Sequence, residues 1–380
     1  MKEILIFFYD QEIKTNSTNS VARLVGAVIK ELESKYNITF FTFNPCYSDK
    51  NIFSKPKLAK IYFLQRIRQK VVNFFFKTKR IKEFHLKKEA IRRSAIATNT
   101  KYDFVIVLAL DEVDFLRTNF PDAVIIYWIH NISAICKKEY LCNVNKADYF
   151  LSPSRTTYHL LLEKLQPAPL TAPFYFTPNW CDEVFKQTDT SLIRELKEMH
   201  DIASGSIVFI FSGSDLKLKG KFILEKVIKS LSAEIDQEIV FFFAGSDNNI
   251  GEQNWKNIRL IHLGLLEPPK LAAYFHISSF GCFPSLAYDH CPLTLLELIH
   301  CNVLPLASDI GGVKEITGSN YKFLVKEPHS IDAWTEAIKQ ALSLSDEERS
   351  LQMNSLKERV IKTYSKDIAF NVLTEILNSQ

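Results

Sequence analysis

The chain has 380 residues, 47% of them hydrophobic and 24% charged, and 47 Lys+Arg against 43 Asp+Glu give a formal net charge of +4. At roughly 150 residues per domain, that length carries two domains with cores of their own, and the composition excludes bulk disorder and fibrous repeats. The longest apolar runs, such as 104–110 and 123–129, fall far short of the roughly 20 residues that a membrane-crossing helix needs.

From the N-terminus, Met1-Lys2-Glu3, an apolar run and then Asp10 are too short and too acidic for a secretory leader, and read as a first buried strand. Strands are expected at 3–8, 38–43, 103–109, 123–129, 149–152 and 171–177, with helices between them at 20–35 and 156–165. Residues 55–93 hold 14 Lys/Arg against Glu83 and Glu89, a local net charge of +12 that leaves the rest of the chain negative. Phe63, Phe74, Phe75, Phe76 and Phe84 interleave with those charges, so a basic helical pair that touches an anionic membrane surface is expected, and nucleic acid is not. Only Gly26 of the 11 glycines precedes residue 200, so a dinucleotide-type G-x-G-x-x-G loop is absent from the first half.

The polar stretch 186–206 reads as a linker. Strands follow at 206–212, 238–244, 258–263, 279–283, 303–307 and 322–325, and a helix at 222–231. Ser345 and Glu348 form a capping box that opens a late helix, and a last helix covers 367–377. Apolar strands separated by helices mean parallel sheets covered on both faces, here two doubly wound Rossmann-like domains facing a central cleft. Seven cysteines (46, 136, 142, 181, 282, 291 and 301) with no C-x-x-C pair fit neither a disulfide framework nor structural zinc, and point to a reduced, cytoplasmic compartment.

Four stretches carry chemistry. Residues 211–220 (FSGSDLKLKG) run from a strand into a helix; Gly213 allows a sharp turn, and Lys217 and Lys219 reach back over it, as a diphosphate cradle requires. Residues 284–297 (PSLAYDHCPLTLLE) bracket a loop and a helix start between Asp289 and Glu297, with the amides of Leu293 and Thr294 at the helix N-terminus. Residues 308–316 (SDIGGVKEI) put Gly311 and Gly312 just after a strand, where they serve either a ligand's close approach or a tight turn. The fourth is 178–185 (PNWCDEVF), which closes the first half.

Taken in order, these stretches resemble the retaining glycosyltransferases of the glycosyltransferase B fold, group 1, in the family 4-like set of sucrose-synthase-like and lipopolysaccharide-core enzymes. The resemblance implies an acceptor-binding domain at 1–185, a donor-binding domain at 186–360 and a final helix, 361–380, packing back on the first. It implies transfer of a hexose from a nucleotide-sugar, UDP-sugar favoured over GDP-sugar, to a cell-surface glycan, lipopolysaccharide or lipid-linked acceptor. Glu297 would bind the ribose, Asp289 the donor sugar, and Lys219 the leaving diphosphate, with His130 beside the sugar. Gly213, Ser214, Lys217, His290, Cys291, Pro292, Leu293 and Thr294 would complete the donor site, with Leu265 near the base. Thr15, Asn16 and Ser17 would face the acceptor. No metal or other cofactor is expected, because Lys219 and the helix amides supply the positive charge; Asp111 and Asp114 read as solvated. The enzyme would act on the inner face of the membrane, held there peripherally through 55–93. Three positions depart from the family: Asp289 for a glutamate, Ser214 for an arginine, and a glycine-free loop at 15–20. The alternatives are a catalytically silent nucleotide-sugar-binding subunit and a nucleotide-sugar epimerase of the same fold.

Overall fold

Short runs of β-branched and aromatic residues, apolar on both faces, build the two sheets. The computed structural model describes residues 1–8, 20–40, 88–89, 91–130, 141–166, 169–213, 217–245 and 250–379. Contacts divide the chain into unit 1 (residues 1–152, 160–175 and 376–380) and unit 2 (residues 153–159 and 176–375).

Unit 1 carries β1 (Glu3–Phe7), β2 (Asn37–Phe40), β3 (Phe104–Val107), β4 (Val124–Trp128), β5 (Tyr149–Ser152) and β6 (Phe174–Phe176), the last at its boundary. They form one sheet in the order β2-β1-β3-β4-β5-β6. The pairs β1–β2, β1–β3, β3–β4 and β4–β5 are parallel. The helix Ser20–Leu32 buries Leu24, Val25, Val28, Ile29 and Leu32, a stripe at helical spacing. Just past β3, the turn Leu110–Glu112 buries Glu112 completely. Its carboxylate accepts from Arg92 Nε at 2.7 Å and Nη2 at 3.1 Å, and pairs with Lys88.

That cluster changes the reading of one end of the basic segment. Most of it, residues 55–87 and 90, lies outside the described residues. Of the described end, Lys88 and Arg92 are engaged with Glu112, and Arg93 Nε pairs with Glu89 at 2.8 Å. Lys88 and Arg92 therefore hold unit 1 together instead of lining a free basic face. Of the two carboxylates expected to be solvated, Asp114 is exposed, with Lys146 as a surface partner, whereas Asp111 is mostly enclosed and paired to Lys88 at 2.5 Å.

Unit 2 carries β7 (Ile207–Gly213), β8 (Ile239–Gly245), β9 (Gly251–Trp255), β10 (Ile258–Gly264), β11 (Phe280–Phe283), β12 (Leu304–Ser308) and β13 (Leu324–Val325). The sheet order is β13-β12-β11-β7-β8-β10-β9, parallel except where β9 pairs antiparallel with β10. Phe209 stacks on Phe241 and Phe280, ring centres 4.8 and 4.9 Å apart, in the middle of this sheet. Both units are Rossmann-like α/β, as expected. Strand β9 was not: its sequence, GEQNW, is polar and exposed at an edge.

The expected linker is a second correction. Within it, Thr190–Met199 forms a helix whose first amides, Ser191 N and Leu192 N, are capped by the Asp189 side chain. It buries Leu196 and packs on the helix Pro268–Ile277. The Ser345–Glu348 capping box does form, and opens the helix Asp346–Thr363. Of the last helix, Lys366–Asn378, the residues up to 375 pack with unit 2 and the remainder with unit 1. There Lys2 Nζ donates to Leu377 O at 3.0 Å, and Tyr36 OH to Asn378 Oδ1 at 3.2 Å. Among the described residues, no helix is long and apolar enough to cross a membrane.

Candidate functional site

Three loops at the carboxyl ends of β7, β11 and β12 meet through glycine. At Gly213, a Cβ would lie 3.0 Å from Lys219 Cβ and Cγ, so the missing side chain leaves room for the lysine stem over the end of β7. Gly220 has φ +74 and caps the helix Lys221–Leu231; a Cβ there would stand 1.9 Å from Pro284 O. Leu286 N donates to Leu218 O at 2.8 Å, which ties the β7 loop to the β11 loop.

The β12 loop grips the β11 loop from its other side. A Cβ at Gly311 would fall 2.2 Å from Asp289 O, and one at Gly312 would fall 1.7 Å from His290 O. Gly312 N donates to Asp289 O at 2.8 Å. The space that these two glycines open is thus filled by the backbone of residues 289–290, and their work is to fix that backbone.

Between the tied loops stands an ion pair. Lys219 Nζ lies 2.8 Å from Asp289 Oδ2, with the two side chains 28% and 26% exposed. The ammonium also lies 5.2 Å from the centre of the Phe283 ring. A pair this open keeps part of its hydration, and both groups remain within reach of a ligand.

Around the pair the polar groups are buried. His290 Nδ1 lies 2.6 Å from Thr157 Oγ1, which also lies 3.3 Å from Tyr288 OH. Burial lowers the His290 pKa to about 4 although Asp289 works in the opposite direction, so the imidazole is neutral; its Nε2 is buried with no partner among the described residues. Asn179 Nδ2 donates to Cys291 O at 2.8 Å, and its Oδ1 likewise has no partner among the described residues. Pro292 then sets the entry of the helix Leu293–His300, whose first amides, on Leu293 and Thr294, have no partner within the helix. Glu297 is buried in the middle of that helix. Cys301 is raised to about 12 and Cys181 well above the thiol range, by burial first and by the charge of Glu297 next.

Three more positions complete the unit 2 candidates. Lys217 is exposed at the start of the turn that ends in Gly220. Leu265 is 59% exposed, directly after Gly264 at φ +69 and the end of β10, the second neighbour of β7. Glu315 was not foreseen as more than part of a motif. Its carboxylate accepts from Ser154 Oγ at 2.6 Å, Arg155 N at 2.9 Å and Thr156 N, and so caps the helix Arg155–Leu165.

His130 belongs to unit 1, at the end of β4, with its ring edge-on to Trp128 at 4.6 Å. Ser214, Thr15, Asn16 and Ser17 lie outside the described residues. The loops thus bring Gly213, Lys219, Asp289, His290, Cys291 and Pro292 together; Leu293 and Thr294 open the helix that follows, Glu297 lies inside it, Lys217 lies in the turn before Gly220, and Leu265 and His130 stand at the ends of β10 and β4. Among the described residues, no group of three or more His, Cys, Asp or Glu side chains could hold a metal ion.

Residues 193–358 match the family model of the glycosyl transferases, group 1. No curated protein sequence matches the chain. Solved structures do match in fold. Sucrose-phosphate synthase from Thermosynechococcus elongatus is 14% identical over 100% of both chains, at a TM-score of 0.72. The N-terminal domain of Candida albicans trehalose-6-phosphate phosphatase is 13% identical over 99% of this chain and 97% of its own, also at 0.72. Anabaena Alr3699/HepE, solved in complex with UDP-glucose, is 14% identical over 100% of both chains, at 0.67.

Proposed function

We propose, for a chain that is a group 1 glycosyltransferase and takes its sugar from a nucleotide-sugar donor, that the sugar is a hexose, that it moves with retention, and that UDP is the preferred nucleotide. The observation that carries this reading is the Lys219–Asp289 pair, held at 2.8 Å on glycine-fitted loops beside the start of the helix Leu293–His300. The UDP-glucose complex of the Anabaena protein of like fold supports the choice of nucleotide.

In this reading Lys219 and the amides of Leu293 and Thr294 meet the diphosphate, and Asp289 accepts a hydroxyl of the hexose. Glu297 takes the ribose, Leu265 and its neighbours the base, and His130 serves the sugar. As the anomeric C–O bond breaks, the diphosphate leaves with the electron pair, and fixed positive groups stabilise that charge without a divalent metal. The acceptor oxygen bonds to the anomeric carbon from the same face, and its proton passes to the leaving phosphate oxygen. The acceptor is a surface glycan, lipopolysaccharide or lipid-linked saccharide, reached by peripheral contact of the 55–93 segment, apart from the internally paired Lys88 and Arg92, with anionic lipid on the cytoplasmic side of the membrane.

Calorimetric titration with UDP and GDP, without metal, tests the donor site. One nucleotide should bind in the micromolar range, and about 100-fold more weakly to Lys219→Met, which removes a charge-assisted contact. Binding of neither nucleotide to folded protein would sink the reading.

A further inference from the structure

Lys219 and Asp289 are each fixed from behind by backbone. The lysine stem rests over Gly213, and Gly220 anchors its loop on Pro284; Asp289 is held through its own carbonyl by Gly312 N and by the close fit of Gly311. The contact between the two side chains is therefore set before any ligand arrives. It uses one carboxylate oxygen, Oδ2, and one of the three hydrogens of the ammonium. Among the described residues, two ammonium hydrogens and the lone pairs of Oδ1 remain for a ligand, in a pair about a quarter exposed.

We infer that Asp289 makes the site favour the nucleotide-sugar donor over the nucleoside diphosphate product, by sharing Lys219 with the phosphate that bears the sugar. This rests on the reading that Lys219 meets the diphosphate and Asp289 the sugar. With the donor bound, the phosphate next to the sugar is bridged on both sides, by the ester to the sugar and the anhydride to the inner phosphate, and carries a single negative charge. The sugar hydroxyl donates to Asp289 Oδ1, so the carboxylate is satisfied by Lys219 on one oxygen and by substrate on the other.

Transfer changes both terms. The bond from the anomeric carbon to the phosphate oxygen breaks, the diphosphate keeps the electron pair, and the acceptor's proton is released to solvent at neutral pH. The terminal phosphate, whose second pKa is about 6, then carries close to one further negative charge. The proton that the leaving phosphate oxygen first takes up is the one then lost to solvent, and at the same moment the hydroxyl that satisfied Oδ1 leaves with the sugar. A carboxylate that accommodates the donor now opposes a more highly charged product across a shared lysine. The aspartate arm, one methylene shorter than glutamate, suits a carboxylate that must stay on Lys219 whether or not a sugar is present.

The test is titration of UDP and UDP-glucose into wild type, Asp289→Asn and Asp289→Glu, each verified as folded by thermal melting. If guanosine is the preferred base, GDP and GDP-glucose take their place. Asp289→Asn should bind UDP about tenfold more tightly, the effect of one charge removed from a partly solvated site, and UDP-glucose no more tightly. Asp289→Glu, which keeps the charge, should preserve the wild-type ratio of the two dissociation constants to within about threefold. A purely structural role would weaken both ligands together. An unchanged ratio in Asp289→Asn overturns the inference and leaves the donor site standing. Failure of wild type to bind either ligand overturns the donor-site reading, and this inference with it.

Discussion

Each unit places a carboxylate and a basic side chain near the carboxyl end of a strand, and the two arrangements differ in what is left over. In unit 1, Glu112 is fully buried, with Arg92 on both of its oxygens and Lys88 on one of them. In unit 2, Asp289 is about a quarter exposed and has Lys219 on Oδ2. A buried carboxylate held on both oxygens has no valence to offer and acts on stability, since its charge has no access to water once its partners are lost. A half-open pair has little stabilising value and keeps its bonding capacity for a ligand. The supports differ in the same way. In unit 2 the support is backbone on backbone, where Gly220 faces Pro284 and Gly312 faces His290, while Glu112 is held by side chains.

The sharpest way to break this contrast is to fill a glycine. Gly312→Ala would put a methyl group 1.7 Å from His290 O, so the Asp289–His290 backbone must move. We expect a loss of about 4 kcal/mol or more in chemical denaturation, together with nucleotide binding. Gly205→Ala is the control, with φ +86 but nothing within 4 Å. It should cost only about 1–2 kcal/mol and leave binding intact. Next in size is Glu112→Ala, expected to lower stability by about 3 kcal/mol because Lys88 and Arg92 lose their buried partner. Nucleotide affinity, measured in the same preparation, should hold.

A smaller effect sharpens the comparison through pH. His290 has a folded pKa of about 4 against 6.5 for the free side chain. Between those values the unfolded chain binds the proton and the fold does not. Stability from this residue is therefore complete above pH 6.5 and is lost as pH falls toward 4. The loss by pH 5 should be about 2 kcal/mol, read from urea midpoints, and His290→Asn should flatten that part of the profile. An equal slope in both proteins would mean that the ring is not buried beside Thr157 as described.

Much of this was legible in the sequence, for reasons that particular residues show. The twelve expected strands are short apolar runs between helical patterns, and burial on both faces writes that pattern directly. Strand β9 escaped because Gly251-Glu-Gln-Asn-Trp255 buries almost nothing and is held by pairing with β10 alone. The helix Thr190–Met199 escaped because only Leu196 is fully buried in a polar stretch, although Asp189 ahead of Thr190 and Ser191 was a usable capping signal. Lys219 and Asp289 could be named singly from their loops. Their contact could not, since 70 residues separate them and the fit of Gly311 and Gly312 onto residues 289–290 exists only in three dimensions. The link from Thr157 to His290 and the cap that Glu315 places on residues 154–156 are long-range in the same sense.

The smallest expected change in stability is the one that decides whether the contrast is sound. Asp289→Ala removes a partner from Lys219 and leaves an ammonium that water can reach, so stability should fall by less than about 1 kcal/mol. If Asp289 orients the donor sugar as proposed, sugar transfer or donor hydrolysis, followed by release of the nucleoside diphosphate, should drop about 100-fold. Measured beside Glu112→Ala, the two variants should exchange rank: one costs stability with binding kept, the other costs turnover with the fold kept. If Asp289→Ala instead melts as early as Glu112→Ala, Lys219 and Asp289 are a structural clamp between the β7 and β11 loops. The ligand-facing role would then pass to groups that the clamp positions, first among them the amides of Leu293 and Thr294.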